Sequence, residues 1–407
     1  MSRRNKRRNR NRRKPVSVRP NPVVSKKKSG VTRIKVIGVG GGGGNAVSRM
    51  MENAKLRGVE FLAINTDAQD LNHTSAHHKI YIGKALTRGL GAGMNPEIGK
   101  QAAEENRSEI MEALDETDIV FVTAGFGGGT GTGAAPIISE IAREKGVLTI
   151  AIVTKPFSFE GSERARIAQE GLSNIRDKVD ALVVIPNDRI FTLINKDTSV
   201  AKAFGFVDSI LEQAVKAVAE IVNAPGIINV DFADIKATVK DAGPALIGIG
   251  IASGADRSMK AVENAINSPL LETPVDGAKR VLFAVAGGRD IKMSEINDAA
   301  KAIVSNLDAN AKIIFGAYYD RTLKDKSLKV TVIAAGFNGL LGGSRLGREL
   351  PSLFMSHEPK AAVIEDKNKD EEVSEEEAKQ EKGDKKKKSV TDKSEWDIPA
   401  FLRKKKR

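Results

Sequence analysis

The sequence predicts a Rossmann-like doubly wound α/β domain joined by one long helix to a second α/β domain. Three observations carry this reading. From Thr32 to Asp188, strands of buried type alternate with helical segments, and the intervening loops are unusually rich in glycine. The four apolar residues Ile119 to Val122 lead into a run holding Gly125, Gly127, Gly128, Gly129, Gly131 and Gly133, and the helix-compatible AAPIISEIAREKG follows at once. Farther on, Phe204, Val207, Leu211, Val215, Val218 and Val222 recur at steps of three and four, the stripe of a helix over residues 199–223. About 25 residues of helix would span some 37 Å, enough to join two domains.

The elements follow in order. TRIKVIGVG reads as a strand, GGGGN as a glycine loop, NAVSRMMENAK as the helix it opens and VEFLAINTD as a second strand. A further glycine-rich loop, Thr87 to Glu97, precedes one helix through PEIGKQAAEENRSEIMEAL, with Asn95 as N-cap and Pro96 at the first helical position. After the strand and helix around Gly125–Gly133 come strand VLTIAIVTKP, a loop and helix through FSFEGSERARIAQEGLSNIRDKV, and strand ALVVIPND. Beyond the long helix, ALIGIGIASG, RSMKAVENAIN, KRVLFAVAGG, SEINDAAKAIVSNL, AKIIFGAYYD and LKVTVIAAG form a second α/β unit without glycine-rich phosphate loops. The expected divisions are a basic arm over 1–31, a nucleotide domain over 32–198, the helix over 199–226 and a second domain over 227–340. A charged linker over 341–395 and a docking peptide over 396–407 complete the chain.

Composition narrows the function classes. The net charge of +13 is equalled by 13 Lys and Arg in residues 1–30, where no acid occurs, so the remaining 377 residues balance. Contact with polyanions, nucleic acid or anionic lipid therefore belongs to the arm, which reads as disordered and equally well as a solubilising extension. No stretch reaches the roughly 18–20 unbroken apolar residues of a membrane span, and no apolar segment follows the basic start as in a secretory signal. The absence of cysteine excludes disulfides, thiolate catalysis and Cys-ligated zinc, and fits a cytoplasmic protein. Four His residues, at 73, 77, 78 and 357, do not make a metal site. From Glu358 to Glu395 the chain carries 13 acids and 10 bases and nothing to bury. WDIPAFLRKKKR then gathers Trp396, Ile398, Phe401 and Leu402, a cluster suited to folding on a partner.

The glycine run is the chemical centre. A strand that ends in glycines and opens a helix aims backbone N–H groups and the positive end of a helix dipole at one point, which suits a phosphate. The run lacks the GK[ST] ending of the lysine-bearing P-loop. Gly38, Gly40 and Gly43 also fit G-x-G-x-x-G, with Asp67 at the end of the second strand, the fingerprint of a dinucleotide-binding unit. An NAD(P)-dependent oxidoreductase is accordingly an alternative, although it leaves GFGGGTGTG unexplained. In NVDFADIK, Asp231 and Asp234 stand i, i+3 at a helix start. On the residues alone this reads equally as an N-cap followed by a first-turn acid.

Taken together, GGGTGTG (Gly127 to Gly133), IKVIGVGGGGGNAV, NTDAQ, GLGAGMNPE, TKPFSFEG, VIPND and NVDFAD resemble, in the same order, segments of the FtsZ family, the bacterial tubulin-like cell-division GTPases. The resemblance covers roughly Thr32 to Gly336 and the final peptide. It implies a GTPase that polymerises head to tail, using GTP/GDP and Mg²⁺, in filaments of the mid-cell cytokinetic ring on the inner face of the membrane. Carried over by motif, Gly41, Gly42, Gly43, Gly44 and Asn45 would form a first phosphate loop, and Gly129, Thr130 and Gly131 a second. Ala92 and Gly93 would lie near the γ-phosphate. Glu160 and Arg164 would contact the ribose and its surroundings, Phe204 would stack on guanine, and Asp208 would pair with the base edge. Asn229, Asp231 and Asp234 would enter the nucleotide pocket of the next subunit and polarise the attacking water. Trp396 to Lys404 is similar to the peptide that binds membrane-tethering adaptors such as FtsA or ZipA. Two departures stand out: the basic arm is longer than usual, and Phe126 stands where Met is common. A third reading is a non-catalytic nucleotide-binding scaffold that recruits partners through its tail.

Overall fold

Strands that are apolar on both faces need cover on both faces, and helices supply it in a parallel sheet. In the computed structural model these strands and helices follow one another as the sequence alternates. They are β1 (Ile34–Val39), α1 (Gly40–Asn53), β2 (Val59–Asn65), α2 (Ala68–His73), β3 (His78–Tyr81), α3 (Lys84–Thr87), α4 (Pro96–Glu105) and α5 (Arg107–Ala113). β4 (Ile119–Gly125), α6 (Thr130–Glu144), β5 (Leu148–Lys155), α7 (Ser162–Arg176) and β6 (Ala181–Pro186) complete the first unit. The strands are parallel in the order β3-β2-β1-β4-β5-β6. The chain reverses its direction of winding between β1 and β4, and the crevice at such a point is where doubly wound sheets hold ligands.

The structure describes residues 32–337 except 54–57, 193, 196, 224–225, 269–276, 306, 308–309, 321–322 and 325. All of these belong to one compact unit. The basic arm, the charged linker and the terminal peptide lie outside the described residues.

The second half begins with α8 (Val200–Asn223) and continues through β7 (Gly226–Ile228), α9 (Phe232–Val239), β8 (Gly243–Ser253), α10 (Arg257–Ile266), β9 (Arg280–Gly287), α11 (Met293–Val304), β10 (Lys312–Tyr319) and β11 (Ser327–Ala335). Its strands run β8-β11-β9-β10-β7. β9 and β10 are parallel, whereas β8–β11, β11–β9 and β10–β7 are antiparallel. Only Ala181–Gly243 and Leu182–Pro244 link β6 to β8, so two sheets meet at a joint two residues wide.

Packing across that joint is carried by α8. Val207, Ile210, Leu211, Val215, Val218 and Ile221 are buried. They share one apolar cluster with Val36 and Phe121 of the first sheet and with Leu282, Ala284 and Ile333 of the second. Six such side chains stabilise the arrangement by on the order of 10 kcal/mol before chain entropy is subtracted. The helix is therefore wedged between both sheets and belongs to the core of each.

Two expectations are corrected. The GGGGN run is not a loop, because α1 begins at Gly40, whose φ of +69° makes the turn from β1. Gly41 to Asn45 are its first turns. The predicted helix after Pro96 is two helices broken at Asn106, whose Oδ1 accepts from the Gly83 N–H at 3.0 Å and so turns the chain. Asn95 caps α4 as expected, accepting from the Glu97 N–H at 3.0 Å.

Candidate functional site

At the carboxyl ends of β1 and β4 lies a cavity of about 580 Å³, within the usual range for small-molecule sites. Its glycine-rich end is built from Gly40, Gly41, Gly42 and Asn45 at the start of α1, Gly91, Ala92 and Gly93, and Gly128, Gly129, Thr130 and Gly131 at the start of α6. Two helix N-termini thus open on one space, each with unpaired N–H groups and roughly half a positive charge. The loop pieces brace one another: the Gly129 N–H donates to the Gly93 carbonyl at 2.8 Å, and the Thr66 and Thr130 hydroxyls are 2.6 Å apart. Thr132 turns inward and accepts from the Gly127 N–H at 3.0 Å.

Gly43 and Gly44 do not line the cavity. A methyl group on Gly43 would stand 2.4 Å from the Thr123 carbonyl oxygen, inside any permissible contact, so glycine there lets α1 lie against β4. Gly44 faces the Thr74 hydroxyl.

The other end carries Glu160, Arg164, Asn187, Phe204, Val207, Asp208 and Leu211. Arg164 pairs with Glu160 at 3.2 Å, and Glu160 also accepts from the Phe157 N–H at 2.9 Å. Phe204 meets Phe157 edge-on with ring centroids 5.4 Å apart, leaving the residue 43% exposed and able to stack on a planar ligand. The half-buried Asp208 lies 3.4 Å from Arg49 of α1. Burial pushes its carboxyl pKa above the ordinary range, with the Arg49 guanidinium opposing. The sequence reading passed over Asn187 although it quoted VIPND. Asn187 is buried, and among the described residues its Oδ1 has no hydrogen-bond partner. An orphan acceptor in a cavity wall calls for a ligand donor. No sequence pattern carries that signal, because it exists only once the walls are assembled.

Among the described residues four acids, Asp67, Asp70, Glu160 and Asp208, line the cavity with Arg164 as the single basic side chain. Asp67, the acid of the dinucleotide fingerprint, uses Oδ1 to cap α2, accepting from the Gln69 and Asp70 N–H groups at 2.9 and 3.0 Å. Asp70 accepts from the Asn65 amide at 2.7 Å and stands beside Gly41. Among the described residues no cluster of His, Asp and Glu could by itself hold a metal ion. Hard carboxylate oxygens beside a phosphate cradle nevertheless fit Mg²⁺, which takes one or two protein carboxylates and completes its shell with phosphate oxygens and water.

The residues expected to be catalytic stand elsewhere. Asn229, Asp231 and Asp234 are absent from the cavity lining and exposed, between β7 and the first turn of α9. The Asn229 Oδ1 accepts from the Gly226 N–H at 2.7 Å, and the Asp231 Oδ1 accepts from the Asp234 N–H at 2.7 Å. Asp231 is therefore the N-cap of α9. The Asp234 carboxylate has no hydrogen bond or ion pair among the described residues. The cavity can hold a nucleotide, but within one chain nothing brings these acids to it.

Comparisons with known proteins agree with this architecture. Residues 33–195 match the model of the tubulin/FtsZ family GTPase domain, and residues 243–338 match that of the FtsZ family C-terminal domain. A solved structure of an empty FtsZ dimer from M. jannaschii is similar at 44% identity and a TM-score of 0.72, over 76% of this chain and 89% of that one. CetZ1 of Haloferax volcanii, a GDP-bound monomer, is 22% identical with a TM-score of 0.67, over 76% of this chain and 96% of that one. CetZ2 of the same organism, a GTPγS-bound protofilament, is 22% identical with a TM-score of 0.65, over 74% and 92%. These last two share the fold.

Proposed function

The chain belongs to the FtsZ family and is a GTPase, and from that premise we propose that it polymerises head to tail and hydrolyses GTP only where two subunits meet. One observation carries the reading: the cavity provides for phosphates and a base, while the candidate catalytic carboxylates stand exposed outside it. The FtsZ relative from M. jannaschii is described as a dimer, which supports self-association.

In this reading the N–H groups of Gly41, Gly42, Thr130 and Gly131 hold the phosphates, with the Asn45 side-chain amide beside them, the Gly129 N–H fixed on the Gly93 carbonyl and Gly43 and Gly44 behind. Ala92 and Gly93 face the γ-phosphate. Among the described residues no lysine lines the cavity, so the helix dipoles and N–H groups carry charge balance on the protein side. Asp67 and Asp70 are the carboxylates that would hold Mg²⁺ beside the phosphates, where it would supply the remaining positive charge. Phe204 stacks on the base. An ionised Asp208 accepts from guanine N1–H and N2–H, where adenine would present an acceptor at N1, and Asn187 Oδ1 takes a further base N–H. Glu160 and Arg164 flank the ribose. Asp231 and Asp234 of the next subunit orient and polarise the attacking water, with Asn229 beside them. Loss of the γ-phosphate removes the contacts made through Ala92 and Gly93, and the interface weakens.

At the cellular level the proposal is a filament of the cytokinetic ring at the division site, on the cytoplasmic face of the membrane. Trp396 to Lys404 would dock on membrane-tethering adaptors through the 341–395 linker. Among the described residues no helix is long and apolar enough to cross a membrane.

Complementation tests the two-subunit site. Asp234→Ala keeps the cavity and loses the acid, whereas Asp208→Ala keeps the acidic loop and loses base recognition. Each alone should turn over little GTP. Their mixture should recover turnover, because an Asp234→Ala cavity can meet an Asp208→Ala loop. A mixture no more active than its components contradicts the proposal.

A further inference from the structure

At the C-terminal end of α8, far along the helix from Phe204 and Asp208, the interior holds ionised groups that the cavity does not use. Lys329 of β11 is buried, and its Nζ lies 2.7 Å from Glu220 Oε2 and 2.7 Å from Asp320 Oδ2. The Tyr318 hydroxyl donates to the same Glu220 oxygen at 3.0 Å. Lys216, one turn earlier on α8, approaches Glu220 Oε1 at 3.7 Å. Burial, reinforced by the Glu220 and Asp320 charges, pushes the Tyr318 phenol far above its usual range, so it stays a donor.

Such a network is a poor source of stability. Desolvating two carboxylates and an ammonium costs about what their attraction returns, and apolar side chains of the same volume often serve as well. What it does provide is geometry. Ala217, Val218, Ala219 and Ile221, the buried residues of the last turns of α8, are small or aliphatic and make non-directional contacts. Hydrogen bonds to one carboxylate from an ammonium and a phenol fix the rotation and axial position of the helix end.

That position matters because of what adjoins it. The backbone of Tyr318 pairs with Gly226 of β7, and Ala317 pairs with Ile228. The Gly226 N–H is held by Asn229, and Asp231 caps α9 two residues later. Tyr318 thus grips the end of α8 with its side chain and the strand leading into the acidic loop with its backbone.

We propose that Lys329, Glu220, Asp320 and Tyr318 are positioning residues for hydrolysis: they lock the end of α8 to the second sheet and so set where Asp231 and Asp234 stand when they meet a neighbour's nucleotide. The proposal rests on the reading of the acidic loop as the group that acts between subunits.

The test uses the full chain and four variants: Glu220→Gln, Lys329→Met, Lys329→Arg and Asp234→Ala. Glu220→Gln keeps the packing volume and the Lys329–Asp320 pair, so it remains decisive should Lys329→Met fail to fold. Turnover at saturating GTP is compared with GTP affinity at protein concentrations below assembly, and with polymer sedimented in GTP. The expected result for Glu220→Gln and Lys329→Met is a fall in kcat of about tenfold or more, with GTP affinity within about twofold and polymer still sedimenting. Lys329→Arg, which keeps the charge and donors, should restore most of the rate. Parent-like kcat in Glu220→Gln beside an inactive Asp234→Ala would overturn the lock and leave the acidic loop standing. So would a Glu220→Gln whose GTP affinity falls together with its kcat. An Asp234→Ala variant that still turns over GTP would overturn the reading beneath it.

Discussion

In the proposed reading Asp208 must do two opposed things: sit in a half-buried wall, and stay ionised to accept from a base. Burial raises its pKa and Arg49 opposes the rise. Nucleotide affinity should therefore fall as pH drops through this raised pKa, because the protonated carboxyl loses acceptor capacity. Its effect on the empty protein has the opposite sign: stability from a group with a raised folded-state pKa is present at low pH and lost as pH rises through that value. Arg49→Met removes the opposing charge and should move the acid limb of GDP affinity to higher pH, visible in binding isotherms between about pH 4 and 8. An unchanged limb would mean that Asp208 does not recognise the base. Asp208→Asn should weaken GDP binding by about 1.5–3 kcal/mol, roughly ten- to a hundredfold in Kd. Two glycines give a sharper contrast. Gly43→Ala drives a methyl group onto the Thr123 carbonyl and should cost about 1–3 kcal/mol or more in chemical denaturation. Gly128 lines the cavity, and the same methyl group there meets nothing within 4 Å. Gly128→Ala should therefore keep parent-like stability and lose GDP affinity. The two glycine runs announced these positions without separating their roles, because packing glycines and ligand-facing glycines are identical in sequence.

On the scale of elements, sequence periodicity located α8 to within a residue and placed the strands of the first sheet, since long apolar patterns report burial directly. What it misplaced were the starts and breaks. α1 begins inside a glycine run that propensity argues against by about 1 kcal/mol per residue. Close approach to β4 and the turn at Gly40 override that preference. The Asn106 break was hidden because its cause, the Gly83 N–H, lies 23 residues away. The acidic loop remained ambiguous for another reason: capping and catalysis ask for the same residue types. The two roles can be separated by experiment. Asp231→Ala removes the cap of α9 and should lower stability by about 0.5–2 kcal/mol, whereas Asp231→Ser retains a capping oxygen and should not. If Asp231 also serves hydrolysis, both variants should lose turnover, and thermal melts beside rates distinguish the outcomes. A serine variant with parent-like turnover would reduce Asp231 to its capping role.

For the molecule as a whole, the division of labour follows from α8 and the joint between the sheets. One end of the helix lines the nucleotide cavity with Phe204, Val207, Asp208 and Leu211, and the other leads through β7 into Asn229, Asp231 and Asp234. From Asp208 to Asn223 the helix rises roughly 22 Å, so the cavity end and the acidic end of one subunit are held apart by a rigid strut in the shared core. The sequence named both ends and, through the helix length, their separation, but not that the helix packs against both sheets at once. The direct test is GTP turnover per protein molecule as a function of protein concentration, with sedimentation run in parallel. Specific activity should be near zero below a threshold and rise as polymer appears in the pellet. Specific activity that stays constant at every dilution would mean that each chain carries a complete site, and Asp231 and Asp234 could not then be acting on a neighbour's nucleotide.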